Sequence, residues 1–325
     1  MDEVDIGLFD YDRNNTLYFF LLNADEHIYM RYGGRDSHSQ DSYLSLASLE
    51  LALQRGLELH RRYQAGDIKK LERPKPLFPR QIPLLVERTF ARNNCVECHL
   101  IGDFQNTHRE MDGTLDKLTH MYRSPDIKTI GIFLDVPKGL LVKDARDAAL
   151  SAGMQPGDRI AALNGVPVWT FGDLQHAYDK VPRNSTQVRI TVERAGEARD
   201  LTLTLPVRWW WTDIRYRQFS IDPRIYFDSD PLPAEQKAKL GLKPDGFAST
   251  VKHVDMFAQA VKSHELKVGD IVFGVDGVEQ DEHAHTAELF IKLRRKAGDS
   301  VTLDVIRDGK RMRMPLRTYQ MSFRK

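Results

Sequence analysis

The chain has 325 residues, 41% hydrophobic and 29% charged, with a formal net charge of +1. Such a composition is that of a globular chain of two or three domains. It excludes a basic nucleic-acid binder, because no long Lys/Arg run exists, and a helical membrane span, because no apolar stretch approaches the required length of about 20 residues.

The first residues, Met1-Asp2-Glu3-Val4-Asp5, are acidic and no apolar core follows them, so they are not a signal peptide. A cytoplasmic location follows if Met1 is the true start, and a periplasmic or otherwise exported one if the natural chain begins further upstream. Thr16 to Leu22 is a continuous apolar run that predicts a buried strand. Asn23-Ala24-Asp25-Glu26 supplies a turn, and His27 to Tyr32 returns antiparallel until Gly33-Gly34 stops it. From Tyr43 to Tyr63, leucines at helical spacing predict an amphipathic helix. Pro74, Pro76, Pro79 and Pro83 then make residues 66–83 an extended linker.

Residues 84–124 read as a helical segment around the only two cysteines of the chain, Cys95 and Cys98. One close pair excludes a disulfide framework. The sequence Cys95-Val96-Glu97-Cys98-His99 is a C-x-x-C-H motif, whose usual meaning is covalent attachment of haem c. Cys95 and Cys98 would bond the vinyl groups and His99 would ligate the haem iron. Met111, Met121, His108 and His120 offer a sixth ligand, Met121 being favoured by its distance along the chain. The residues leave alternatives open: a redox dithiol, half of a zinc site whose second half is poorly spaced, or a structurally idle pair. The preceding Thr89-Phe90-Ala91-Arg92-Asn93 resembles the helix that leads into this motif in small cytochromes c.

From residue 126 the pattern changes to short strands between Gly-Asp and Asn-Gly turns. Ile130 to Val136, Arg159 to Leu163, Gln187 to Val192 and Leu201 to Leu205 are strand candidates, with a short helix from Phe171 to Val181. Trp209-Trp210-Trp211 marks a boundary and reads as inter-domain packing. The arrangement then recurs. Strands are expected over Gly246 to Val254, Asp270 to Val275, Val301 to Ile306 and Met312 to Leu316. A helix is expected over His285 to Lys296, and a turn at Arg307-Asp308-Gly309-Lys310.

The repeated core is quotable. Ala152-Gly153-Met154-Gln155-Pro156-Gly157-Asp158-Arg159-Ile160 leads to Asn164-Gly165; Leu266-Lys267-Val268-Gly269-Asp270-Ile271 leads to Asp276-Gly277. This resembles PDZ domains of the bacterial, circularly permuted kind, and implies PDZ domains over 126–206 and 213–318. Pro233 to Ala248 is similar to the opening of PDZ domains in high-temperature-requirement serine proteases, but no Gly-x-Ser-x-Gly accompanies it. PDZ domains add an extended peptide to a sheet edge, so the resemblance implies protein or peptide partners. It places the first groove between Ile130, Gly131, Ile132, Phe133 and a helix carrying Leu174 and Tyr178. It places the second between Gly246, Phe247, Ala248, Ser249 and a helix carrying Leu289 and Leu293.

Residues 1–65, two antiparallel strands and a helix, look like the C-terminal half of a thioredoxin fold. The whole order resembles a bacterial family of thioredoxin-like/PDZ proteins, in which the redox pair lies upstream and export is expected. The expectation is thus an α+β chain acting as an exported, haem-bearing adaptor that transfers electrons and docks partners through two PDZ domains. A thiol–disulfide protein and a non-redox PDZ scaffold are the alternatives.

Overall fold

Strand β1, Tyr18–Leu22, and strand β2, Ile28–Gly33, pair antiparallel with Tyr18 opposite Gly33. Their apolar positions need a lid, and helix α1, Leu46–Gln64, supplies it: Met30, Tyr32, Ala52 and Leu59 form one buried cluster. Two strands and a helix occur in many folds and do not by themselves define a thioredoxin unit. A computed structural model describes residues 3–68, 72–92, 94, 96–212 and 222–320.

Past the proline-rich stretch come helices α2 (Pro83–Arg88), α3 (Cys98–Met111) and α4 (Lys117–Met121). The first repeat follows. Strand β3, Ile132–Leu134, pairs with β4, Val142–Ala145, and α5 spans Asp147–Ser151. Strand β5, Arg159–Leu163, takes the short β6, Val166–Pro167, on one side and β7, Gln187–Arg194, on the other. Helix α6, Phe171–Asp179, lies between them in the chain, and β8, Glu197–Thr204, closes a hairpin on β7. Backbone bonds from Val142 N to Asp158 O (2.8 Å) and from Gly157 N to Val142 O (2.9 Å) tie β4 to the start of β5. The strand sequence is therefore β3, β4, β5, β7, β8.

The second repeat has the same order in one continuous sheet. Its strands are β9 (Phe227–Pro231), β10 (Ser249–Val254), β11 (Ile271–Val275), β12 (Ser300–Arg307) and β13 (Lys310–Arg317), arranged β13-β12-β11-β10-β9. Helices α7 (Ala234–Lys239), α8 (Phe257–Ala260) and α9 (Ala287–Arg294) accompany it. The β12–β13 turn puts Asp308 at φ +50° and Gly309 at φ +75°, both left-handed, as a tight twisted hairpin requires. Two compact units result, Met1–Ser220 and Ile221–Lys325. No helix among the described residues is long and apolar enough to cross a membrane.

Candidate peptide-docking grooves

Asp158 and Asp270 anchor the repeated Gly-Asp turns. Asp158 takes both a backbone N–H, from Gln155 at 2.9 Å, and the Arg194 guanidinium, at 2.6 and 2.8 Å. Asp270 does the same with Lys267 N at 2.8 Å and Arg307 at 2.8 and 2.6 Å. Both carboxylates are buried, which alone would raise their pKa; the arginine and backbone donors outweigh burial and hold both below the usual range. This forked pair fixes the start of the central strand against the following hairpin in each repeat.

In the first unit the wall beside α6 begins with a 3-10 turn, Ile127–Ile130, capped by Gly131 at φ +82°. A Cβ there would sit 1.9 Å from Arg146 O, so only glycine fits this turn. Helix α6 starts with a capping box in which Thr170 and Asp173 satisfy each other's backbone N–H. Burial pushes the Asp173 carboxyl up to about 6 despite the backbone N–H groups of Arg31 and Trp169 that pull it down. Gln175 brackets Arg35, accepting from its N at 3.0 Å and donating to its O at 2.7 Å. One side of α6 is thereby fastened to the N-terminal strands.

The other side of α6 is filled by the chain itself. The Trp209 carbonyl accepts from Thr129 Oγ1 at 2.6 Å on one wall and from the Tyr178 hydroxyl at 3.4 Å on the other. Its indole lies 4.8 Å from the Tyr178 ring and donates to Ser185 O at 3.2 Å. Trp210 packs edge-on against Tyr122. Ile130, Ile132, Leu174 and Tyr178 are all 1% exposed or less, and Phe133 lies beneath the Arg146 guanidinium at 4.6 Å. Of the residues expected to line the first groove, Ile130, Gly131, Ile132, Leu174 and Tyr178 are buried and Phe133 is half-buried, with the Trp209 carbonyl bonded to both walls. These contacts of Trp209 and Trp210 lie within residues 1–220, and Trp210 joins the tryptophan segment to Tyr122 of the 84–124 segment.

The backbone expected to form the second groove is already engaged within its own unit. Ser249 pairs with Pro231 on one side and Val272 on the other. Phe247 N donates to Glu279 O and Ala248 O accepts from Leu232 N, each at 2.9 Å, and Gly246 N closes a turn on Lys243 O at 3.0 Å. Backbone so engaged has no room for a guest strand. Among the described residues β9 pairs with β10 alone, so the open edge is its own. Across from it α9 presents Glu288 and, one turn on, the buried Lys292. Ser229 N donates to Glu288 Oε2 at 3.2 Å, and burial depresses the Lys292 ammonium. Leu289 is buried and Leu293 half-buried. Sequence reasoning missed β9 because Phe-Asp-Ser-Asp-Pro alternates poorly. The available signal was its place ahead of the Pro233 opening segment.

The haem expectation is overturned. Cys95 falls outside the described residues. The Cys98 thiol is hydrogen-bonded with Tyr11, and burial together with that thiol pushes the phenol up to about 12. His99 Nε2 meets Glu97 at 2.6 Å and its Nδ1 faces Asp103 at 3.7 Å, so both ring nitrogens have carboxylate partners. Met121 is wholly buried, next to Tyr122. No group of three or more His, Cys, Asp or Glu among the described residues is placed to hold a metal ion.

The strand order, the duplicated Gly-Asp turns and the helix beside an edge strand define a mixed α+β, PDZ-containing protein. No family model matches the chain. Over 66 residues, 20% of this chain and 17% of the relative, it is 42% identical to a protein of Agrobacterium fabrum (strain C58) that bears the name zinc metalloprotease Atu1380. Among solved structures, the PDZ domain of EpsC from Vibrio cholerae is 29% identical, covering 21% of this chain and 78% of that one, with a TM-score of 0.18. The HtrA-type protease AlgW, solved with a decapeptide, is 13% identical, covering 50% of this chain and 54% of that one, with a TM-score of 0.24. The likeness is local, and the chain spans a small part of the curated relative. None of these likenesses is to a haem or thiol-redox protein, and the redox adaptor and the thiol–disulfide protein expected from the sequence are set aside.

Proposed function

We propose that this chain is a peptide-recognition protein working alongside proteolysis, and that β9 is its docking strand. The observation that carries this reading is the Ser229 N–H. It faces α9 and is held by a side chain, Glu288, rather than by a neighbouring strand. A peptide carbonyl displacing that carboxylate would extend the sheet by one strand, with main-chain bonds giving affinity. The metalloprotease relative supplies the proteolytic connection, with no zinc ligands carried over. In the first unit the Trp209 carbonyl bonds to both Thr129 and Tyr178, which favours the second unit for the recognition.

The test is fluorescence polarisation of labelled extended decapeptides against the full chain. Saturable binding is expected, and Ser229→Pro, which removes the edge donor, should weaken it at least tenfold. In cells, polypeptides whose turnover the natural chain promotes by binding them should persist with the Ser229→Pro chain. Absence of binding to any peptide, or Ser229→Pro binding as well as the natural chain, would overturn the reading.

A further inference from the structure

The face of α3 that looks toward the N-terminal loop carries Gly102, Asn106 and Arg109, at i, i+4 and i+7. Gly102 has no side chain, and Arg13 lies against it: a Cβ built there would be 3.9 Å from Arg13 Cβ and 4.0 Å from its Cδ. Both arginines line a cleft of about 440 Å³ together with Tyr11, His120 and Arg123 and with the carboxylates of Asp10, Asp12, Asp103 and Asp179. That volume suits a small-molecule ligand, for which sites run about 300–1,000 Å³.

The charges around the cleft are unevenly satisfied. Arg123 pairs with Asp10 at 3.1 Å and Asp179 at 2.5 Å. Lys180 takes the other Asp10 oxygen at 2.8 Å, and Arg183 takes Asp179 at 2.8 Å. Asp103 faces His99. Asp10 and Asp179 are thus paired with other cations, and Asp12 accepts from the backbone and side chain of Asn14. Arg13 is 8% exposed, yet its bonds are to the Ile6 carbonyl at 3.4 Å and to Tyr11. Arg109 bonds the neutral Asn106 Oδ1 at 3.1 Å. Among the described residues neither guanidinium has a carboxylate within 4 Å. A cation held away from water with no carboxylate in contact is costly; burial lowers the pKa of both, and the more distant Asp10 carboxylate, already paired with Arg123 and Lys180, only partly offsets it.

We propose that this cleft binds a small anion bearing a phosphate or carboxylate group, held between the Arg13 and Arg109 guanidiniums. A guanidinium fork matches the paired oxygens of either group, and the anion supplies the counter-charge in contact that neither guanidinium has. The site lies in the first unit and is separate from the β9 groove.

The experiment is isothermal titration of the full chain with inorganic phosphate and, separately, with succinate, at constant ionic strength set by sodium chloride. Saturable binding of at least one anion is expected, and which one binds identifies the group recognised. Arg109→Gln should weaken that binding at least tenfold, and Arg109→Lys, which keeps charge but loses the fork, should weaken it by less. Neither anion binding saturably to the natural chain overturns the proposal whatever the variants do. So does an Arg109→Gln chain that keeps the natural fold by circular dichroism and binds as tightly as the natural one.

Discussion

At the scale of single residues, Asp158 and Asp270 show how a turn motif becomes a structural lock. Each carboxylate is buried, bonded to a backbone N–H and forked by one arginine. Removing one partner strands the other, which costs about 1–3 kcal/mol, more for a charged group. Because the folded pKa of both acids lies below the unfolded value of 3.8, the folded state binds fewer protons there than the unfolded state. Their stabilisation is present above about pH 4 and is lost as pH falls through the depressed folded values. Urea midpoints measured from pH 7 down to pH 2 should fall steeply below pH 4. In the double variant Asp158→Asn/Asp270→Asn that fall should be shallower, starting from a lower midpoint at pH 7. Equal pH slopes in both proteins would remove the lock from the account.

At the scale of elements, the most consequential packing is a short segment rather than a strand. Trp209 and Trp210 are 2% and 1% exposed, and Trp209 touches both walls of the first repeat. Trp209→Ala should destabilise the first unit by about 3–5 kcal/mol, the usual cost of emptying a large aromatic site. The measurement is denaturant unfolding followed by circular dichroism; a loss under about 1 kcal/mol, well below that usual cost, would mean that the indole is not part of the core. Much of the rest was legible in the sequence. β5 spans Arg159–Leu163 as its apolar pattern implies, and the Asp308-Gly309 turn sits between β12 and β13 where two left-handed residues are needed. What escaped has physical reasons. β9 carries two aspartates and a proline because an edge strand is solvated on one side, so its hydrophobic signal is weak. The groove residues Ser229, Glu288 and Lys292 are polar and act through backbone and charge, which periodicity does not register. The Cys-x-x-Cys-His motif misled because spacing alone does not reveal that the histidine faces two acids.

At the scale of the whole molecule, the duplication yields two units with separate cores. The first unit commits Trp209 to its own groove and anchors α6 to the N-terminal strands through Gln175 and Arg35. The second encloses its own core, with Leu232, Leu242, Ala248, Phe273 and Ile306 in one cluster and five strands in one sheet. Cores closed within each unit unfold as separate cooperative blocks. Scanning calorimetry of the full chain should therefore resolve two transitions. Arg307→Ala, which orphans the buried Asp270, should lower only the transition of residues 221–325, by roughly 4–8 °C per kcal/mol for a domain of that size. Arg194→Ala should lower only the other. If either variant moves both transitions together, or a single transition accounts for all the heat, the two repeats are one thermodynamic body. Occupancy of the β9 edge would then be read by the whole chain rather than by the unit that holds it.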